Sequence, residues 1–297
     1  MLHDRLHLAH WQEIFQQEIL PQVSSQALQQ AYTDLVGPLQ LVWNEHLRER
    51  ANLATRTHQA TPTDVFIFAE GESPKREITK IGGLPYRAAQ QAWPHTASNR
   101  PLTFIAQFCF ADSHDIVGKL PGDLLLLFAE CDAYGPILDQ EDSTLAQPSI
   151  EVEWVNLGEF PLVSVEMIPA VEWQPFPCYG SIFRTDDYPD IDRYEFPAIS
   201  DDLPTIYSAT KIGGSPDWIQ QPEPLPGRFL AQLTSTVPDQ CWPYPFLNRA
   251  ARLDQAWFAA RFGATDAPDS FLRWGSIGTL YLFIDDHHNI HWMIQST

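Results

Sequence analysis

Two lysines stand in the same local setting. The run Thr79-Lys80-Ile81-Gly82-Gly83-Leu84-Pro85-Tyr86 returns as Thr210-Lys211-Ile212-Gly213-Gly214-Ser215-Pro216-Asp217-Trp218. An ammonium beside paired glycines suggests an anion site, since glycine admits a close backbone approach and lysine supplies the cation. The residue order excludes a Walker loop, in which the lysine follows the glycines and so reaches the phosphates that the loop amides cradle. Two readings stay open. In one, the glycines serve turns of positive φ or the close passage of two segments. In the other, Lys80 and Lys211 flank a cleft between related units and hold an anionic small molecule, with Gly82, Gly83, Gly213 and Gly214 forming the approach. Gln107 and Gln232 complete this candidate ligand-binding set. Each lies in an apolar run, where an amide must find partners, and each is expected to tether its Gly-Gly loop.

The remaining polar clusters are less suited to chemistry. His3, His7 and His10 would align on one side of a helix at a spacing that can grip a metal, but no carboxylate or cysteine is tied to them, so a solvated terminal helix is expected. His287, His288 and His291, beside Asp285 and Asp286, lie between two apolar runs and read as a hairpin turn. Asp186, Asp187, Tyr188, Asp190, Asp192 and Tyr194 interleave acid with aromatic side chains. No glycine bend or closing glutamate makes this a calcium loop, and a surface for a basic protein partner fits it better. The chain has no Gly-x-Ser-x-Gly elbow and no His-Glu-x-x-His, so no catalytic residue, metal site or cofactor is assigned.

Charge narrows the partners further. With 18 basic and 38 acidic residues the net charge is −20, a field that repels nucleic-acid phosphates and anionic headgroups and attracts cationic partners. Four cysteines without a Cys-x-x-Cys pair imply reduced thiols. No apolar run approaches the length of a membrane span and the amino terminus lacks the build of a secretion signal, so a cytoplasmic protein is expected.

These residues need elements to hold them, and the echo extends to those. Thr103-Phe104-Ile105-Ala106-Gln107-Phe108 follows the first Gly-Gly as Arg228-Phe229-Leu230-Ala231-Gln232-Leu233 follows the second. A third pair, Gly122 to Phe128 and Gly278 to Phe283, opens on glycine and ends on Phe. Such self-similarity predicts a doubled folding unit packed about a pseudo-twofold seam. Apolar residues at helical spacing before Pro21 and before Gly37-Pro38 predict a helical extension over 1–62. A first β-rich repeat is expected over 63–170 and a second over 206–297, the latter with a helical insertion over 246–263. Between them 171–205 reads as a proline-rich, acidic and irregular connection, with five of the nine prolines that fall from Pro175 to Pro226. The fold class expected is α+β: internally duplicated β-rich units packed pseudo-symmetrically, with an amino-terminal helical layer.

The Thr-Lys-Ile-Gly-Gly-x-Pro-Tyr run, then Trp93-Pro94, Pro101-Leu102-x-Phe104-Ile105-Ala106-Gln107 and Asp132-Ala133-Tyr134-Gly135, resembles the YwqG-like bacterial family, catalogued as a domain of unknown function. Lys211-Ile212-Gly213-Gly214, Leu230-Ala231-Gln232 and Trp274-Gly275-Ser276-Ile277-Gly278 continue the likeness, over roughly 63–295. The resemblance implies an α+β fold with internal duplication and supplies no activity, cofactor or catalytic residue. The function expected is a non-catalytic cytoplasmic binding module for a basic protein partner. The alternative is a small-molecule-binding protein or enzyme that uses Lys80 and Lys211 on an anionic ligand.

Overall fold

A computed structural model describes residues 61–70, 72–73, 75–137, 150–187, 209–223, 225–236, 271–275 and 278–296. In chain order its strands are β1 (Thr61–Glu70), β2 (Lys80–Ile81), β3 (Thr103–Cys109), β4 (Leu124–Ala129), β5 (Cys131–Asp132), β6 (Gly135–Pro136) and β7 (Ile150–Val155). They continue as β8 (Cys178–Asp187), β9 (Lys211–Gly213), β10 (Arg228–Thr234), β11 (Gly278–Ile284) and β12 (Ile290–Ser296). One short helix, α1 (His114–Val117), follows β3. Apart from the small β5-β6 ribbon, the strands form one sheet in the order β12-β11-β10-β9-β1-β8-β2-β3-β4-β7.

That order is a palindrome of roles. Each half supplies a lead strand (β1, β8), a two- or three-residue strand carrying the Lys-Ile pair (β2, β9), and then three longer strands. The lead strands pair with each other at the centre, Val65 opposite Phe183. Each also borders the other half: β1 pairs with β9, Val65 opposite Lys211, and β8 pairs with β2, Tyr179 opposite Lys80. The lead strands are thus exchanged between halves. The echoed residues hold matching registers, with Lys80 opposite Gln107 and Lys211 opposite Gln232. Bulges fall at the same step, between Phe104 and Ala106 and between Phe229 and Ala231. The third echo is offset by one: Cys109 pairs with Leu124 and Thr234 with Thr279, so Gly278 matches Asp123 rather than Gly122.

Side-chain alternation explains the burial. On β4, Leu125 and Leu127 enter a core that also holds Leu230, Leu280 and Leu282 of the second half. Leu124, Leu126 and Phe128 enter a separate cluster with Tyr86, Leu102 and Phe104. A strand covered on both faces reads as an unbroken apolar run. The edge strand β7 alternates instead: Val152 and Trp154 pack on the shared core, Glu151 is exposed and Glu153 bonds Arg87.

Two expectations are corrected. The α+β class is overturned: among the described residues helix is confined to α1 and the 3-10 turn Val165–Met167, and the regular structure is otherwise antiparallel strand. The helical expectation rested on the apolar stripes of 1–62 and 246–263, and residues 1–60 and 246–263 lie outside the described residues. The connection 171–205 was read as irregular, yet it contains β8. Its prolines at 175, 177 and 189 bracket that strand and leave 178–187 proline-free, so no ladder donor is lost.

Candidate functional site

Beneath each Gly-Gly loop lies a carboxylate clamp. In the first half Lys80 Nζ is 2.5 Å from Glu72 Oε1, and the amide of Leu84, just past the glycines, donates to Glu72 Oε2 at 3.0 Å. In the second, Lys211 Nζ donates to Asp187 Oδ2 at 2.9 Å, and the Ser215 amide donates to the same oxygen at 2.9 Å. Each carboxylate ties a strand lysine to the exit of its loop. Glu72 follows the end of β1 and Asp187 ends β8, so both clamps hang from the lead strands.

The glycines are dictated by this closeness. Gly83 and Gly214 have φ of 69° and 71°, and a Cβ on either would run into the clamping carboxylate. The glutamines close the loops from the other side. Gln107 Oε1 accepts from the Tyr86 amide at 2.8 Å and its Nε2 donates to the Ile78 carbonyl at 2.7 Å. Gln232 repeats this with the Asp217 amide at 3.0 Å and the Ala209 carbonyl at 2.9 Å. Thr79 and Thr210 add a third tie, each hydroxyl accepting from an amide of the neighbouring strand, that of Cys109 and of Thr234.

The ions differ in their surroundings. Lys211 and Asp187 side chains are both fully enclosed, whereas Lys80 is 1% and Glu72 37% exposed. Burial pulls the Lys80 ammonium below its ordinary pKa, and the Glu72 charge pushes it back up. A deep ion pair must be well matched to offset desolvation, and here the backbone amide and the lysine share the carboxylate. In both loops a protein carboxylate thus occupies the place an anionic ligand would take on the lysine. Both ammoniums are buried.

A second buried pair links the halves to α1. Arg184 of β8 donates to Asp64 of β1 through Nε at 2.5 Å and Nη2 at 2.9 Å, and to Asp115 of α1. The hydrogen bond to Asp64 is the chief cause that raises the Arg184 guanidinium above its usual range. Ile116 of α1 stands against Gly213.

Beside the first loop is a small pocket lined by Gly83, Trp93, Thr103, Ile168, Val171 and Pro175 among others. Its walls are fixed: the Trp93 indole donates to the Leu102 carbonyl at 2.7 Å and Thr103 Oγ1 to the Trp173 carbonyl at 3.2 Å. Next to it Val165 and Met167 are 65% and 48% exposed.

The structure separates other residues that the sequence grouped. Asp187, expected on a partner-facing surface with Asp186, is fully buried on Lys211, because it ends a central strand. Tyr188, Asp190, Asp192 and Tyr194 lie outside the described residues, as do His3, His7 and His10. Asp285 to Asn289 form the turn between β11 and β12, where Asp285 accepts from the amides of His287 and Asn289. Among the described residues no three metal-ligating side chains converge. Sequence reasoning missed Glu72 and the clamping role of Asp187. They stand eight and 24 residues before their lysines, so no repeated spacing marks them.

A family model described as a domain of unknown function, DUF1963, matches residues 79–291, and so takes in both clamped loops. No curated protein matches the chain.

Proposed function

The chain belongs to the DUF1963 family of unknown function, and we propose that it is a non-catalytic binding module of the cytoplasm whose partner is a basic protein. The observation that carries this reading is where the charges go. Lys80, Arg87, Arg184 and Lys211 each pair with a carboxylate. Those pairs are neutral as units, so the surplus of −20 rests on groups outside them and sets the field an approaching partner meets. Both Gly-Gly lysines are engaged by carboxylates, which favours a rigid platform over an anion site. Among the described residues no helix is long and apolar enough to cross a membrane. The chain's Lys-Ile-Gly-Gly motifs further resemble those of the YwqG-like proteins.

Fluorescence anisotropy with labelled basic, neutral and acidic peptides tests it. Basic peptides alone should bind the full chain, and their affinity should fall steeply between low and physiological salt. Failure of every basic peptide to bind, or affinity indifferent to ionic strength, contradicts the reading.

A further inference from the structure

We infer that the basic partner docks through a short segment, one aliphatic side chain flanked by lysine or arginine, seated on the Val165–Met167 turn and at the mouth of the pocket beside Gly83. This rests on the proposed basic partner and gives it a place.

Val165 and Met167 are large apolar residues turned to solvent, and Ile168 and Val171 run from them into the pocket wall. Exposed apolar side chains next to a concave apolar wall mark a contact surface. The segment from Asn156 to Gln174 carries Glu159, Glu166 and Glu172 and not one Lys, Arg or His, and all three glutamates are exposed. Ser164 Oγ donates to Glu166 at 2.6 Å, which holds that carboxyl below its usual range. An exposed apolar turn on a segment whose only charges are carboxylates calls for an apolar side chain between cations, and it repels phosphate and anionic lipid.

The nearest cations are already occupied. Arg76 donates to the carbonyls of Leu84, Pro85 and Val163, and Arg87 grips Glu153 beneath the Trp93 ring. The pocket is too small to engulf a ligand, so the aliphatic side chain lies against its mouth and the exposed Val165–Met167 turn. Its walls are held by hydrogen bonds before any partner arrives, so little ordering opposes binding. The matching place in the second half differs: Arg228 stands where Thr103 does and donates to the Val117 carbonyl at 2.5 Å, a cation where a basic segment would have to lie.

The test uses the full chain and three labelled peptides: Lys-Arg-Leu-Lys-Arg, its Leu-to-Ser twin, and its all-Glu twin. The first should bind best and the last not at all. Glu159→Gln with Glu166→Gln and Glu172→Gln should weaken the first peptide about tenfold and flatten its salt dependence. Val165→Ser with Met167→Ser should erase the advantage of Leu over Ser while leaving the salt dependence. All these side chains are exposed, so unfolding midpoints should hold. A photoreactive leucine in the first peptide should crosslink to Trp93 or to 165–171, whatever the variants do. If the basic peptides bind but neither variant set changes affinity, or the crosslinks map elsewhere, this site is wrong and the parent proposal stands. If no basic peptide binds, both fall.

Discussion

The most exposed consequence of the clamp concerns Lys211 and Asp187. Both side chains are fully enclosed and their charged atoms are 2.9 Å apart, so removing either takes this counter-charge from a buried ion. Breaking such a pair from one side costs about 3–5 kcal/mol, whereas removing both charges in matched shapes is close to neutral. Lys211→Met removes the ammonium from the Asp187 carboxylate, to which the Ser215 amide and hydroxyl still donate. Asp187→Asn keeps an acceptor for that amide but removes the carboxylate charge from the ammonium. Each single variant should therefore lose about 3–5 kcal/mol, roughly 6–15 °C in Tm at this size. The double variant should lose only about 1 kcal/mol, the remainder being one weakened hydrogen bond. Urea unfolding of the four proteins closes the cycle, and a coupling of about 3 kcal/mol or more is expected. Additive losses, or single variants within about 1 kcal/mol of the parent chain, would refute the clamp as the element that holds the loop.

Three further outcomes follow from the same geometry. In the half-exposed first clamp, Glu72→Gln should cost more than Lys80→Met, because Glu72 can meet water and Lys80 cannot. The loss in Glu72→Gln should shrink as pH rises toward 10: a buried lysine of lowered pKa sheds its proton before the unfolded chain does, so stability climbs through that window. Gly213→Ala should cost roughly 1–3 kcal/mol by urea unfolding, since Gly213 has φ of 70° and its Cβ would meet Ile116. Adding Ile116→Ala should relieve only the collision and leave the backbone strain. Burial pushes the Cys109 and Cys131 thiols up to about 12, so at pH 8 about a thousandfold less thiolate is present than for a free cysteine. Site-resolved alkylation should find buried Cys109 nearly inert and half-buried Cys131 slow, and labelling of Cys109 at the rate of free cysteine would contradict its burial.

The repeated phrase made much of this legible. Lys, Gly-Gly and Gln recur together because each does one job in a loop that is held the same way twice, and Thr79 and Thr210 open the phrase for the same reason. What escaped is what pairs at long range. Glu72 and Asp187 reach their lysines across unequal stretches of chain, and the exchange of β1 and β8 joins Val65 to Lys211 through contacts that no local pattern records. Asp187 looked like surface because its neighbours in sequence are acidic, but it ends a central strand whose burial depends on pairing. The proline-rich connection hid a strand because counting prolines ignored the clean interval between them. The pocket is built from residues as far apart as Gly83 and Pro175, and only folding brings them to one wall.

The exchange of lead strands is the central claim, and backbone nuclear Overhauser contacts in the deuterated chain test it directly. Contacts from Val65 to Lys211 and from Tyr179 to Lys80 are expected, matching the registers of β1 with β9 and β8 with β2. Contacts that instead place β1 beside β2 and β8 beside β9 would show each half folding on its own strands and contradict the account.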